Sequence, residues 1–516
     1  MVFGYKSLAA DCKSPFFLYN AVGRGCVDLK RRLAAWLLLI ALTLPLPSPA
    51  LAAWDADGAE LPPTDAPAFS APDAEPSEPA SDCFVFQLTD GTDAAEIAEL
   101  SGAELLCEDA RLYRTDDPGL LRRLEAENLL AQYAPDGTVY LDELSEDIEA
   151  LSAQDYRSAM LGYDYAEANQ ITGSGVRVAV IDSGLWSGFS AHSSADILPG
   201  VNCLVEEGSP KRSSVEDTYG HGTFVASVIC GDDIGLAPGV SLLPLKCFDG
   251  NTSKYSYLIE AISIAIRENC DVINLSLGSA ERYPPLEEAV QSALDRGIIV
   301  IASSGNTELA SGSTGDDAPM YPAAQEGVIS VGAVDKTKTV WKKSIQNSSV
   351  CVVAPGVSVS GLSIKTGALY TSNGTSFAAP VVTATAALAL SADPELTSGD
   401  FTELLCSTAE DLGDAGRDHA YGYGLVNPAL LLATLRQDTE SLILTGWDGK
   451  VGISAYLAAQ DVRNLLAFYD ENGKMLSVEP KDRLCCLPIP DTAKRFALFS
   501  VGAENCLPLR CARELR

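Results

Sequence analysis

The chain has few basic residues and very few histidines. Its 516 residues carry 36 Lys and Arg against 70 Asp and Glu, a formal net charge of −34. Phosphate backbones and anionic lipid headgroups repel such a protein, which excludes nucleic acid as a partner. Since 47% of the residues are hydrophobic and only 21% are charged, the chain is nevertheless expected to fold around a sizeable core. Imidazole chemistry can come only from His192, His221 and His419.

A long apolar run is also missing. The most apolar segment, LAAWLLLIALTL at 33–44, is shorter than the ~20 residues that a membrane-spanning helix needs. Residues 1–32 before it carry six basic and two acidic side chains, and Ala50-Leu51-Ala52 after it has the small-x-small form of a signal peptidase site. This pattern predicts a signal peptide region at 1–53, with an uncleaved membrane anchor as the alternative. The mature protein is expected to be secreted, without membrane insertion after signal cleavage.

Metal-ligand spacings are absent as well. The 14 cysteines form no C-x-x-C pair and no cluster with histidine, so nothing indicates a zinc site, and no cofactor is expected. Export permits disulfides among the twelve cysteines after the signal region. Cys230, Cys247 and Cys270 lie in apolar runs and are interpreted as small buried hydrophobic residues. The pairing of the others stays open.

Composition divides the remaining chain into four segments. Residues 54–82 are rich in Pro, Ala and acid, which predicts a disordered linker. Residues 83–145 alternate short strand-like and helical patterns, as in a small α+β domain. Residues 150–436 form the largest folded unit, and 437–516 show short strands and turns without long helices, which indicates a β accessory module.

The central segment has the pattern of a parallel sheet covered on both faces. Nearly continuous β-branched runs predict buried strands, and the helical pattern PLEEAVQSALDRG lies between two of them. A further helix, SFAAPVVTATAALALS, is apolar all round and is therefore expected to be buried, with Pro380 in its first turn. The predicted strands are 176–182, 240–248, 271–278, 297–305 and 327–334.

Four polar residues stand where such sheets place their active sites, at strand or helix ends. Asp182 ends the strand VRVAVID, Asn306 follows GIIVIASSG, and His221 and Ser376 each open a helix. A serine hydroxyl attacks a carbonyl when a base removes its proton, and an acid orients and stabilises that base. An amide such as that of Asn306 can stabilise the oxyanion that forms. The four residues together therefore predict nucleophilic hydrolysis of a carbonyl substrate.

The motifs VIDSGL, HGTFVAS, DVINLSLGS, SSGN and NGTSFAAP resemble those of subtilisin-like serine peptidases, in the same order. This resemblance implies an α/β parallel-sheet catalytic domain at 150–436 and an endopeptidase that forms an acyl-enzyme on protein or peptide substrates. It implies Asp182 as the orienting acid, His221 as the general base, Ser376 as the nucleophile and Asn306 as the oxyanion donor. Ser276, Leu277 and Gly278 match the edge that pairs with the substrate, and Met320 matches a position at the floor of the primary pocket.

The sequence also departs from the family pattern. Phe224, Ser227, Phe377 and Ala379 replace residues that are common beside the catalytic His and Ser, and are expected to change packing without loss of chemistry. The link 231–238 leaves no room for an inserted calcium loop, so no tight calcium site is expected there.

The flanking segments carry weaker resemblances. Residues 83–145 resemble the ferredoxin-like inhibitory propeptide of such enzymes, which implies a zymogen that is cleaved by itself between about 141 and 150, with the propeptide as an intramolecular inhibitor. Residues 437–516 resemble a β-sandwich repeat. The alternative function is a catalytically silent or latent subtilase fold that binds without turnover. An α/β-hydrolase esterase is disfavoured, because G-T-S-F-A around Ser376 lacks the second Gly of G-x-S-x-G.

Overall fold

The computed structural model describes residues 83–89, 102–141, 156–307 and 318–436, together with six strands between 442 and 515. The predicted signal region 1–53, the linker 54–82, the first helix of the 83–145 domain and the segment 142–155 lie outside the described residues. The strand and helix predictions for the central segment can all be compared with the structure.

The 83–141 part forms a four-stranded antiparallel sheet with the strand order β2-β3-β1-β4. Its described helix, α1, begins at Pro118, and the Asp117 side chain caps it by accepting from Gly119 N. The βαββαβ order of a ferredoxin-like domain, which the resemblance of 83–145 implies, stays a prediction. The elements are β1 (Phe84–Leu88), β2 (Ala103–Cys107), β3 (Leu112–Thr115), α1 (Pro118–Ala126), β4 (Leu130–Pro135) and β5 (Thr138–Tyr140).

The central part is built on an eight-stranded sheet with the order β14-β13-β12-β11-β6-β9-β7, in which β8 also pairs with β9. All of its strand pairs are parallel. Its elements are α2 (Tyr156–Leu161), α3 (Asp164–Ala168), β6 (Arg177–Asp182), β7 (Asp196–Ile197), β8 (Val201–Asn202), α4 (His221–Cys230), β9 (Ser241–Lys246), β10 (Thr252–Lys254), α5 (Tyr255–Arg267), β11 (Val272–Leu275), α6 (Pro284–Asp295), β12 (Ile299–Ser303), β13 (Ile329–Val334), β14 (Val352–Pro355), β15 (Val359–Leu362), β16 (Leu369–Ser372), α7 (Thr375–Ala392), α8 (Ser398–Thr408) and α9 (Pro428–Leu435).

Both faces of this sheet are buried, as the continuous apolar runs predict. Along β6, Val178 and Val180 join the core under α4 and α7, whereas Ala179 and Ile181 join the core under α5 and α6. The alternation follows from the two-residue period of a strand. The predicted parallel α/β core is therefore confirmed, and the five predicted strands correspond to β6, β9, β11, β12 and β13.

The strand order reverses beside β6. The chain passes from β6 through α4 to β9 on one side, and then through α5 to β11 on the other side. The crevice that such a reversal opens lies at the carboxyl ends of the strands and is where α/β sheets bind ligands. Asp182 is the last residue of β6 and therefore lies at this crevice.

Helix α7 is buried as predicted, but the position of Pro380 differs from the prediction. The helix begins at Thr375, so Pro380 lies in its second turn and lacks an N–H that would bond to the Ser376 carbonyl. The Ser276 hydroxyl donates to that carbonyl instead, at 2.7 Å. In length and composition α7 could cross a membrane, yet 83% of it is buried inside the protein, as in a core helix.

Two of the residues that depart from the family pattern, Phe224 and Phe377, contact each other. The rings of Phe224 on α4 and Phe377 on α7 have centroids 4.3 Å apart. Phe224 also packs edge-on against Tyr370, and a Cβ on Gly361 would lie 2.3 Å from its ring. The larger side chain at 224 therefore fits because its neighbours at 361 and 377 accommodate it.

The secondary structure described in the C-terminal part consists of strands. β17 and β18 form a hairpin, and the other four form a sheet with the order β20-β19-β21-β22. A β-sandwich stays a prediction. The strands are β17 (Leu442–Trp447), β18 (Lys450–Ala455), β19 (Val462–Tyr469), β20 (Met475–Lys481), β21 (Arg495–Gly502) and β22 (Arg513–Leu515).

Candidate active site

A fully buried carboxylate and imidazole lie at the crevice. His221 Nδ1 is 2.9 Å from both carboxylate oxygens of Asp182, and neither side chain has solvent exposure. A carboxylate at Nδ1 fixes the tautomer in which the other nitrogen, Nε2, serves as the base. The geometry also stabilises an imidazolium once His221 takes up a proton.

Asp182 is stabilised by further donors and by a nearby positive charge. Ser183 N donates to Asp182 Oδ1 at 2.7 Å. Lys246, directly opposite Asp182 in the β6–β9 register, donates through Nζ to the carbonyls of Ser183 and Phe248 at 2.6 and 3.0 Å. Burial lowers the pKa of Lys246, although the field of Asp217, Asp249 and Asp182 opposes that shift. The ammonium thus offsets part of the negative charge beneath the site.

A second buried carboxylate, Asp217, organises the start of helix α4. Its oxygens accept from the Ser183 hydroxyl at 2.9 Å, from the backbone N–H groups of Tyr219, Gly220 and Thr223, and from the Thr223 hydroxyl at 2.7 Å. The same Ser183 hydroxyl accepts from Gly222 N at 2.9 Å. The network connects the strand that ends at Asp182 to the helix that begins at His221.

The two glycines beside His221 are required by this connection. Gly220 caps α4 with φ = 103°, in the left-handed region that L-residues with a side chain avoid. A Cβ on Gly222 would lie 2.3 Å from the Gly184 carbonyl oxygen. The G-H-G sequence therefore holds the imidazole close to the strand end.

Ser376 is the second residue of α7 and is fully buried. Its hydroxyl donates to the Ser276 carbonyl at 3.2 Å, and its own carbonyl accepts from the Ser276 hydroxyl. The following residue, Phe377, contacts the His221 ring with centroids 5.5 Å apart. The first turns of α4 and α7 thus lie side by side, with the imidazole against the residue that follows Ser376.

Asn306 is held by its amide oxygen. Its Oδ1 accepts from Thr375 N at 3.2 Å and from the Thr375 hydroxyl at 2.9 Å. The Asn306 Nδ2 atom faces Gly374. It lies 3.7 Å from the position that a Cβ atom would take on that glycine. With Oδ1 occupied, the N–H groups of the amide are on the side of Gly374, two residues before Ser376.

The predicted substrate edge already holds a strand of the chain itself. β5 pairs antiparallel with β10 on one side, and Gly278 N donates to Tyr140 O at 3.4 Å on the other. Leu141 N donates to Asn251 O at 2.9 Å. Val139, in the middle of β5, is fully buried among the apolar residues of α5 and α6. Residues 138–141 therefore occupy the place where an extended peptide would add to this edge.

Met320 is buried next to this edge. A Cβ on Gly278 would lie 3.6 Å from Met320 Cε, and one on Gly305 would lie 2.5 Å from Met320 Cγ. Ile345 and Ala280 complete its apolar surroundings. The thioether fills the space between the two glycines.

The structure thus gathers the predicted residues Asp182, His221, Ser376, Asn306, Ser276 and Gly278 around one crevice. Sequence reasoning missed Ser183, Asp217, Lys246 and Thr375. Two of them adjoin predicted residues inside the motifs VIDSGL and NGTSFAAP, which is a usable signal. The other two carry no local signal, because their contacts are made across elements.

A buried carboxylate–imidazole pair and a serine at a helix N-terminus, in the crevice of a parallel α/β sheet, are the arrangement of a serine hydrolase. Comparison with known proteins narrows this class. Residues 173–424 match the model of the subtilase family of peptidases. The chain is 37% identical to Subtilisin DY of Bacillus licheniformis over 280 residues, 53% of this chain and 96% of that protein.

Two further relatives lead to the same family. Subtilisin E of Bacillus subtilis (strain 168) is 38% identical over 262 residues, which cover 50% of this chain and 65% of that protein. An alkaline protease of Alkalihalobacillus alcalophilus is 32% identical over 317 residues, 60% of this chain and 78% of that protein. The chain belongs to the subtilase family and is a serine-type endopeptidase, which confirms the resemblance found in the motifs.

The contact between Thr375 and Asn306 gives a prediction. Thr375→Val removes one of the two donors that fix Asn306 Oδ1, so the amide loses the orientation in which it could donate to an oxyanion. We expect kcat for a peptide anilide to fall about 10-fold, less than the 10²–10³-fold loss that follows removal of an oxyanion donor itself. Thr375→Ser keeps the hydroxyl and is the matched control, with a kcat close to that of the unmodified protein. Equal losses in both variants would contradict a positioning role.

Proposed function

We propose that Asp182, His221 and Ser376 form the catalytic triad of this endopeptidase. The observation that carries the proposal is the buried contact between Asp182 and His221 Nδ1. Ser376 Oγ attacks the scissile carbonyl while His221 Nε2 removes its proton, and His221 then donates that proton to the leaving amine. The Asp182 carboxylate stabilises the imidazolium. Water, activated by the same imidazole, hydrolyses the acyl-enzyme.

Asn306 is proposed as the oxyanion donor. The negative charge develops on the substrate carbonyl oxygen beside Ser376, in the first turn of α7. Backbone N–H groups of a first helical turn point toward such a charge. The fixed Asn306 amide adds a second, preorganised donor, and no cofactor takes part in these steps.

The substrate is proposed to bind as an extended strand between β10 and residues Ser276-Leu277-Gly278. The antiparallel pairing of β5 at both edges supports this mode, because β5 uses backbone hydrogen bonds that any peptide can supply. Leu277 is fully buried in the apolar core on the side of Val139, so this part of the cleft favours an apolar side chain.

The 83–145 domain is proposed to be an inhibitory propeptide, and the protein a secreted zymogen that cleaves itself. Besides β5, several contacts bind this domain to the peptidase domain. The Asp136 carboxylate accepts from Ser256 N and Oγ at 3.1 and 2.7 Å, and the Tyr283 hydroxyl donates to Pro135 O at 3.2 Å. A strand held in the cleft by such contacts excludes other substrates until it is removed.

Self-processing is tested with the serine itself. The unmodified chain is expected to lose the segment before about residue 150, whereas Ser376→Ala, which lacks the nucleophile, keeps it; intact mass measures both. Ser190→Ala, an exposed serine, is the matched control and should process normally. If the unmodified chain keeps the segment, self-processing is wrong and the latent alternative is favoured. If Ser376→Ala is processed equally well in isolation, Ser376 is not the nucleophile.

Met320 gives a prediction on specificity. Met320→Ala opens the space between Gly278 and Gly305, so larger side chains should fit the primary pocket. We expect the ratio of kcat/KM for leucine or phenylalanine over alanine before the scissile bond to rise about 10-fold in a peptide series. Met160→Ala, another buried methionine, is the control and should leave this ratio unchanged. An unchanged ratio in Met320→Ala would remove Met320 from the pocket.

A further inference from the structure

Two cysteines meet at the end of the sheet opposite to the active site. Cys351 directly precedes β14 and Cys406 lies on α8, 55 residues later, with their Sγ atoms 3.6 Å apart. A disulfide requires about 2.05 Å between the sulfurs. The remaining gap is small enough to be closed by a side-chain rotation.

The backbone of Cys351 is fixed on both sides. Its N–H donates to Ser330 O at 2.9 Å, and its carbonyl accepts from Tyr423 N at 2.8 Å. Cys406 is held by a helix whose start is capped by Thr397. The two sulfurs are thus presented to each other by rigid elements.

Both cysteines lie at a cavity. They are among the residues that line a space of about 910 Å³, and both are partly exposed. Arg417 lies beside this cavity, with its guanidinium stacked 5.3 Å from the Tyr423 ring and donating to Ser348 O. A small charged oxidant can therefore reach the cysteine pair, and the Arg417 cation lies beside that pair.

The electrostatics of the pair are asymmetric. The hydrogen bond shared with Cys351 lowers the pKa of Cys406, burial opposes this shift, and Arg417 adds to it. The pKa of Cys351 is raised by its hydrogen bond with Cys406 and by burial. The two thiols thus share one hydrogen bond beside the Arg417 cation, which favours a thiolate in the pair.

The other cysteines of the peptidase domain differ from this pair. Cys230 and Cys270 are buried, and burial raises the pKa of each thiol to about 12. Cys247 is also fully buried next to Cys203, and its pKa is raised by burial. Among the described cysteines of this domain, Cys351 and Cys406 are therefore the two that are partly exposed.

We propose that Cys351 and Cys406 form a reversible disulfide, made by exchange with a low-molecular-weight disulfide such as oxidised glutathione. A thiolate of the pair attacks one sulfur of that disulfide, forms a mixed disulfide and releases one glutathione thiol. The second cysteine then loses its proton and attacks the protein sulfur of the mixed disulfide, which forms the Cys351–Cys406 bond and releases the second glutathione thiol. The protein loses two hydrogen atoms, and the oxidant is reduced to two thiols.

The bond closes a loop that contains β15, β16 and α7, and hence Ser376. A cross-link of this length stabilises a protein mainly by restricting its unfolded chain. Oxidation is therefore expected to raise thermal stability and to leave kcat/KM at moderate temperature unchanged. This inference does not depend on the peptidase mechanism.

The experiment uses the full chain with Ser376→Ala, which prevents self-digestion. The protein is equilibrated with reduced or oxidised glutathione, alkylated with iodoacetamide, and mapped without reduction. The expected result is a cross-linked peptide pair that contains Cys351 and Cys406. Alkylation of both cysteines under fully oxidising conditions, a stable glutathione adduct on Cys406, or a link of either to another cysteine would overturn the proposal.

Thermal unfolding provides the second measurement. Oxidation should raise Tm by about 5 °C. Adding Cys406→Ser or Cys351→Ser should abolish the difference in Tm between oxidised and reduced protein. Any loss of packing caused by the serine cancels, because the two redox conditions are compared within the same variant. Cys270→Ser is the matched control and should keep the full difference. A redox-dependent Tm that persists in Cys406→Ser would contradict the assignment.

Discussion

The contact between Asp182 and His221 is the constraint on which the rest of the site depends. A carboxylate without solvent exposure is costly unless donors and opposite charge surround it. Here His221 Nδ1 and Ser183 N donate to Asp182, and the Lys246 ammonium lies beneath Ser183. The end of β6, the opposite position on β9 and the first residue of α4 must therefore all be in place before the imidazole can serve as the proposed base.

The same logic extends to the nucleophile. Pro380 leaves the Ser376 carbonyl without its helical donor, and the Ser276 hydroxyl takes over that role from the substrate edge. Thr375, the residue before the nucleophile, fixes the amide of Asn306. The start of α7 thus joins Ser376, the proposed nucleophile, to Asn306, the proposed oxyanion donor, and to the edge where substrate is proposed to pair.

Much of this arrangement could be predicted from the sequence. Parallel strands buried on both faces are long β-branched runs, so the positions of Asp182 and Asn306 at strand ends followed from their neighbours, and His221 opens an apolar helix as predicted. Asp217 and Lys246 could not be found this way, because each acts on an element distant in sequence. The proximity of Cys351 and Cys406 depends on how α8 packs on the sheet, which no local pattern encodes. Pro380 lies in the second turn and not in the first as predicted, because the helix begins at Thr375, one residue before the predicted start at Ser376.

The most direct test of the triad is labelling of the processed protein with a fluorophosphonate, which reacts with a serine only when a base activates it. The account predicts one equivalent of label per chain, located on Ser376 by peptide mapping, and a labelling rate at least 10³-fold lower in His221→Ala. Label on a different serine, or an undiminished rate in His221→Ala, would contradict it.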